Sequence, residues 1–204
     1  MPSTSAATPT ARPFIVGLGG TTRPGSTAER AIAAALAHAA TLGCDTALFG
    51  ADALPTEPYD PSRPERSDKA LALVAAVRRA QGLVIATPSY HGGISGLVKN
   101  VLDFVEDTRE DALPYLSRRA VGCIVCADGA QAMGTTLVAL RSVVHALRGW
   151  PTPYGATLLA SSRPFGHEGV PADPSAIAAC ELVASEVVDF ARMAAAAAGI
   201  PAAR

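Results

Sequence analysis

The run Gly82-Leu83-Val84-Ile85-Ala86-Thr87 is apolar on both faces. A strand of that kind has to be covered twice, which is the situation of a central strand in a parallel sheet flanked by helices. Two further buried runs, Phe14-Ile15-Val16-Gly17-Leu18 and Ala120-Val121-Gly122-Cys123-Ile124-Val125-Cys126-Ala127, behave alike. Between them the period changes to helical. Ala31, Ile32, Ala35, Leu36 and Ala39 share one face, as do Leu71, Val74 and Val77, and then Leu137, Leu140, Val144 and Leu147.

The whole chain reads as strand and helix in alternation. Strands are expected at residues 13–19, 45–49, 82–87, 120–127 and 154–159. Helices are expected at 27–42, from a Ser67 cap to 80, at 95–106, at 135–147, and from Asp173-Pro174 to 198 with a stop at Gly199. Five of each imply a doubly wound α/β fold with a five-stranded parallel sheet of order 2-1-3-4-5. Ligands of such sheets lie beyond the carboxyl ends of the strands where the order reverses. Here that point falls between strands one and three, so the loops after Gly19 and Thr87 should stand side by side. The Pro-rich connection at 50–66 is longer than most, as functional or interface loops are.

The loop after strand one reads Gly19-Gly20-Thr21-Thr22-Arg23-Pro24-Gly25-Ser26-Thr27. It lacks the lysine of a Walker A loop. It also lacks the third glycine of the dinucleotide fingerprint, because position 22 is Thr22, and Asp45 lies before the second strand rather than after it. Hydroxyls and one guanidinium at a helix start suit a terminal monophosphate. The same residues also suit a plain Ser/Thr helix cap beside a solvated arginine.

At 204 residues, one domain spanning 13–200 is expected, after a Ser/Thr/Ala/Pro-rich N-terminal tail at 1–12 expected to be disordered. A hydrophobic fraction of 49% argues against general disorder. A net charge of −1 and 5% aromatics give no case for a nucleic-acid partner. No apolar run reaches membrane-spanning length and no secretory leader is visible, so a cytoplasmic protein is expected. Of four cysteines, Cys123 and Cys126 form Cys-x-x-Cys within a strand, where residues three apart face opposite sides. A core role is expected for both, and no metal site. His38 and His145 fall on helices without acidic partners at helical spacing.

The loop after strand three reads Thr87-Pro88-Ser89-Tyr90-His91-Gly92-Gly93-Ile94-Ser95-Gly96-Leu97-Val98-Lys99-Asn100. Pro88 turns the chain, Gly92 and Gly93 let backbone N–H groups approach a flat ligand, and Tyr90 offers a face beside it. This Pro-x-Tyr-x-Gly-x-x-x-Gly-x-x-Lys-Asn segment, together with Gly20-Thr21-Thr22-Arg23-Pro24-Gly25-Ser26, resembles the signature of the NADPH-dependent FMN reductase family. The resemblance covers about residues 13–190. It implies a flavodoxin-like three-layer sandwich and includes quinone, azo and chromate reductases.

The resemblance further implies that Thr21, Arg23, Ser26 and Thr27 bind the FMN phosphate. Pro88, Ser89, Tyr90, His91 and Gly92 would border the isoalloxazine ring, and the loop after strand four, with Asp128 and Gly129, would line the flavin. Asp128, Gln131 and Met133 depart from the family's usual glycines and serines. Ser89 stands where Glu is frequent, and His91 where Asn is frequent. The implied reaction is hydride transfer from NADPH or NADH to flavin N5, then electron transfer to a small acceptor such as free flavin or a quinone. The flavin carries that chemistry, with His91 a weak catalytic candidate. Separately, His167 in the stretch Ser162–Gly169, expected to be flexible, is a candidate to reach a neighbouring subunit's site. A homodimer or homotetramer is implied, and a flavin-dependent monooxygenase is a conceivable partner. The rival reading is a flavodoxin-type electron carrier, although such carriers are usually strongly acidic.

Overall fold

The computed structural model describes residues 12–168 and 170–198. The expected tail at 1–11 and the helix stop at Gly199 lie outside the described residues. Arg12, assigned to that tail from sequence, is instead tied down. Its guanidinium donates to the Gly43 carbonyl at 3.1 Å and pairs with Asp45 at 3.4 Å.

The main sheet contains β1 (Phe14–Gly19), β2 (Asp45–Phe49), β3 (Gly82–Tyr90), β5 (Ala120–Ala127) and β6 (Trp150–Leu159). Its order is β2-β1-β3-β5-β6 with parallel pairing throughout. This is the expected 2-1-3-4-5 order in terms of the long strands. The added element, β4 (Gly93–Ile94), pairs antiparallel with the end of β3. The loop expected after Thr87 is therefore the extension of β3 into a short hairpin.

Helices α1 (Thr27–Thr41) and α5 (Pro174–Ala198) cover one face. Helices α2 (Asp68–Arg79), α3 (Gly96–Asp103) and α4 (Met133–Ala146) cover the other. Strand side chains divide between the two cores with period two: Val84, Ala86, Ile124 and Cys126 meet α1 and α5, while Leu83, Ile85, Val121 and Cys123 meet the opposite layer. The two cysteines of the Cys-x-x-Cys thus lie in separate cores, and burial pushes both thiols up to about 12. No group of His, Cys, Asp and Glu able to hold a metal is found among the described residues.

Close approach of the helices depends on missing side chains. A Cβ at Gly17 would come within 2.2 Å of Ile32 on α1, and one at Gly122 within 2.3 Å of Val183 on α5. Three helices begin on a serine whose hydroxyl accepts a backbone N–H: Ser26, Ser67 and Ser95.

Several expected details shift. On α2 the buried leucine is Leu73, while Leu71 is exposed because the face turns toward Ala70, Leu73, Val74 and Val77. The third helix ends at Asp103 and tightens into a 3-10 turn over Phe104–Thr108. Helix α4 begins at Met133 and β6 at Trp150, both earlier than expected. The long 50–66 connection is pinned rather than loose. Leu54 is buried, Tyr59 stacks edge-on against Phe104 at 5.3 Å, and Arg66 holds Asp107 through Nε at 2.6 Å and Nη2 at 2.9 Å. Asn100 staples the loop by accepting from the Tyr59 N–H and donating to the Glu57 carbonyl. Asn100 therefore has a structural role, and Lys99 is spent in an exposed pair with Asp103.

Candidate active site

The carboxyl ends of β1, β3 and β5 open into a cleft of about 410 Å³, within the size range of small-molecule sites. It lies where the strand order reverses between β1 and β3, as doubly wound sheets predict.

One wall is the loop from β1 into α1. Gly19 has φ +129 and passes so near β3 that a Cβ would sit 1.9 Å from the Ala86 carbonyl oxygen. That oxygen accepts the Gly20 N–H at 3.1 Å. No side chain can replace Gly19 without moving the loop off the sheet. Thr21 folds the loop on itself, its hydroxyl accepting the Arg23 N–H at 3.0 Å. Ser26 is buried and accepts the Glu29 N–H at 3.3 Å as the α1 cap, which leaves its own proton free to donate. Arg23 is exposed and takes part in no ion pair among the described residues. Thr21, Arg23, Ser26 and Thr27 all line the cleft. They form a hydroxyl and guanidinium cluster at the positive end of a fifteen-residue helix.

The second wall comes from β3. Thr87, fully buried, accepts the Ser95 N–H at 3.0 Å and so ties the two ends of the hairpin together. Pro88, Ser89 and Tyr90 line the cleft, with Tyr90 55% exposed at its mouth. The Ser89 hydroxyl is engaged with Thr136 of α4 at 2.7 Å, so it locks β3 against α4. His91 and Gly92 do not line the cleft. They form the tip of the hairpin with φ +53 and +81, the pair of positive angles that a two-residue type I′ turn requires. His91 holds a left-handed conformation that asparagine adopts more readily. The tip leans on α4, where the Thr135 hydroxyl is 3.5 Å from the Gly92 carbonyl.

The third wall is the end of β5 and the approach to α4. Asp128 and Gly129 line the cleft, and so do Gln131 and Ala132. Cys126 and Ala127 at the strand end, Ala28 and Ala160 complete it. Those small neighbours were not apparent from the sequence, because an alanine or buried cysteine carries no chemical signal of its own. The loop after β6 that brings Ala160 here is fastened twice. Ser161 donates to the Asp128 carbonyl at 3.1 Å, and Arg30 of α1 reaches the carbonyls of Phe165 and Gly166. His167 lies farther along that loop, exposed and bridged to Val170. His38 is engaged with Ser185 on α5 at 2.9 Å, and His145 lies exposed near the end of α4.

The cleft thus has a cationic, donor-rich wall, and the rest of its lining is uncharged apart from Asp128, with the neutral thiol of Cys126 among it. That donor set fits an elongated ligand with one terminal phosphate, which is the shape of a flavin mononucleotide.

The model of the NADPH-dependent FMN reductase family matches residues 13–163, a span that contains all three walls. The chain belongs to this family of flavin oxidoreductases. Solved structures of similar fold include an NADH:FMN oxidoreductase in its apo form (19% identity, TM-score 0.63, covering 88% of this chain and 89% of that one). Another is the NAD(P)H:acceptor oxidoreductase FerB from Paracoccus denitrificans (15%, TM-score 0.70, 89% and 98%). A third is a WrbA-like flavodoxin protein from Agrobacterium tumefaciens (16%, TM-score 0.59, 90% and 99%). At these identities the likeness is one of flavodoxin-like fold. No helix among the described residues is long and apolar enough to cross a membrane.

Proposed function

We propose that this chain is an NAD(P)H-dependent oxidoreductase that holds FMN in the cleft and passes electrons to a small acceptor. The observation that carries this reading is the junction of the exposed Arg23 and the α1 N-terminus with the β3 and β5 loops in one cleft at the switch point. When bound, FMN supplies two-electron chemistry between the reduced nicotinamide and the acceptor.

The protein's share is positional. Arg23, the hydroxyls of Thr21, Ser26 and Thr27, and the first N–H groups of α1 take the phosphate. The close-packed Gly19 turn fixes that end to β3. Pro88, Ser89 and Tyr90 on one side, and Asp128 and Gly129 on the other, border the ring. The Ser89–Thr136 and Thr87–Ser95 hydrogen bonds keep the bordering backbone from shifting. The exposed Tyr90 marks the open side, where nicotinamide and acceptor would enter in turn.

Purified protein supplied with FMN is expected to oxidise NADPH or NADH, with free flavin, a quinone or an azo dye as acceptor. Flavin binding without oxidation of either nicotinamide would overturn the enzyme reading in favour of an electron carrier. Failure to bind flavin would overturn the cofactor.

A further inference from the structure

Two charged side chains line the cleft, Arg23 from the α1 loop and Asp128 from the end of β5. Arg23 stands with the hydroxyl cluster that suits a phosphate. Asp128, which is exposed, stands on another wall with Gly129, Gln131 and Ala132; on the FMN reading that wall borders the flavin ring. The Asp128 side chain takes part in no ion pair among the described residues. Its backbone carbonyl, rather than its carboxylate, accepts the Ser161 hydroxyl. A carboxylate left without a counter-charge works against the binding of an anionic cofactor, and it works hardest against whichever redox form carries more negative charge.

We propose that Asp128 sets the reducing power of the bound flavin by disfavouring its reduced form. This inference rests on the FMN reading above. The oxidised ring is neutral. Taking up two electrons and one proton from the nicotinamide leaves the ring with one added negative charge, unless solvent supplies a second proton. A carboxylate on the cleft wall opposes that charge, so reduced FMN binds less tightly than oxidised FMN. The midpoint potential falls accordingly, and the flavin becomes a stronger donor toward its acceptor.

Asp128 has a competing structural role. It precedes the turn Ala130–Ala132 and α4, whose N-terminus has no side-chain cap. An acidic group there stabilises the helix through its macrodipole. The two roles separate experimentally. Dissociation constants for oxidised and for dithionite-reduced FMN are measured anaerobically on the full chain, on Asp128→Asn and on Asp128→Glu, alongside thermal melting.

Asp128→Asn is expected to tighten reduced FMN relative to oxidised FMN roughly three- to thirtyfold. Each tenfold gain raises the two-electron midpoint by about 30 mV. Asp128→Glu is expected to keep the original ratio. A ratio unmoved by Asp128→Asn, with or without a lower melting temperature, would overturn the proposal and leave Asp128 as a helix-terminal charge. Absence of FMN binding by the unmodified chain would overturn the flavin reading, and this inference with it.

Discussion

The Arg23 side chain takes part in no ion pair among the described residues, which makes it an informative single residue. Its guanidinium is exposed, and the loop around it is shaped by Thr21 and Gly19 instead. A charge-assisted hydrogen bond to phosphate is worth about 1.5–3 kcal/mol. Arg23→Ala is therefore expected to weaken FMN roughly ten- to hundredfold in a fluorescence titration, with the melting temperature unchanged. Equal affinity in the two proteins would remove Arg23 from the phosphate site. At this scale the sequence of the loop suits both a phosphate site and a plain helix cap, and the structure adds that Thr21, Arg23, Ser26 and Thr27 line one cleft. The hairpin tip was not legible. His91 adopts a positive φ that its residue type does not announce, and His91 and Gly92, which the family resemblance sets beside the ring, form the hairpin tip rather than the cleft lining.

Elements show the same division between what patterning reveals and what packing decides. Strands covered on both faces were plain from their unbroken apolar runs, and the opposite facing of Cys123 and Cys126 followed from a period of two. Where a helix face begins and ends was less plain. Leu71 satisfies the helical spacing as well as Leu73 does, and tertiary packing alone selects Leu73. Likewise, Gly17 and Gly122 read as ordinary strand residues until α1 and α5 are laid across them.

Burial of the thiols has a measurable consequence. Cys123, Cys126 and Cys180 are raised from 9.0 to about 12, chiefly by desolvation. Below about pH 9 these thiols are protonated whether the chain is folded or not, so they impose no pH dependence. As pH rises from there toward 12, the unfolded chain releases protons that the folded chain retains, and stability falls. Urea unfolding is expected to show a falling midpoint above about pH 9. That fall should be smaller in Cys126→Ala after allowance for its lower baseline stability. A profile identical in slope to the parent would show that the thiol does not titrate on unfolding. At neutral pH, Cys126 presents an uncharged floor to the cleft, suited to a ring rather than an ion.

For the molecule as a whole, topology turns three separate loops into one site. The order β2-β1-β3-β5-β6 puts the ends of β1 and β3 side by side and β5 next to β3, so segments more than a hundred residues apart share one cleft. The alternation of strand and helix makes that convergence foreseeable. Family membership gives the chain its class, a flavin oxidoreductase. The loop after β6 was not foreseeable as a site element. Arg30 and Ser161 bring it in through backbone carbonyls, contacts that leave no residue pattern to read.

On the proposed function, FMN in this cleft accepts electrons directly from a nicotinamide. That transfer is tested most directly by adding NADPH, and separately NADH, without oxygen to protein reconstituted with FMN, while following the visible flavin band. The band is expected to bleach with one equivalent of at least one nicotinamide and to return when a quinone is added. A flavin that stays oxidised with both nicotinamides, yet bleaches with dithionite, would contradict the proposed function.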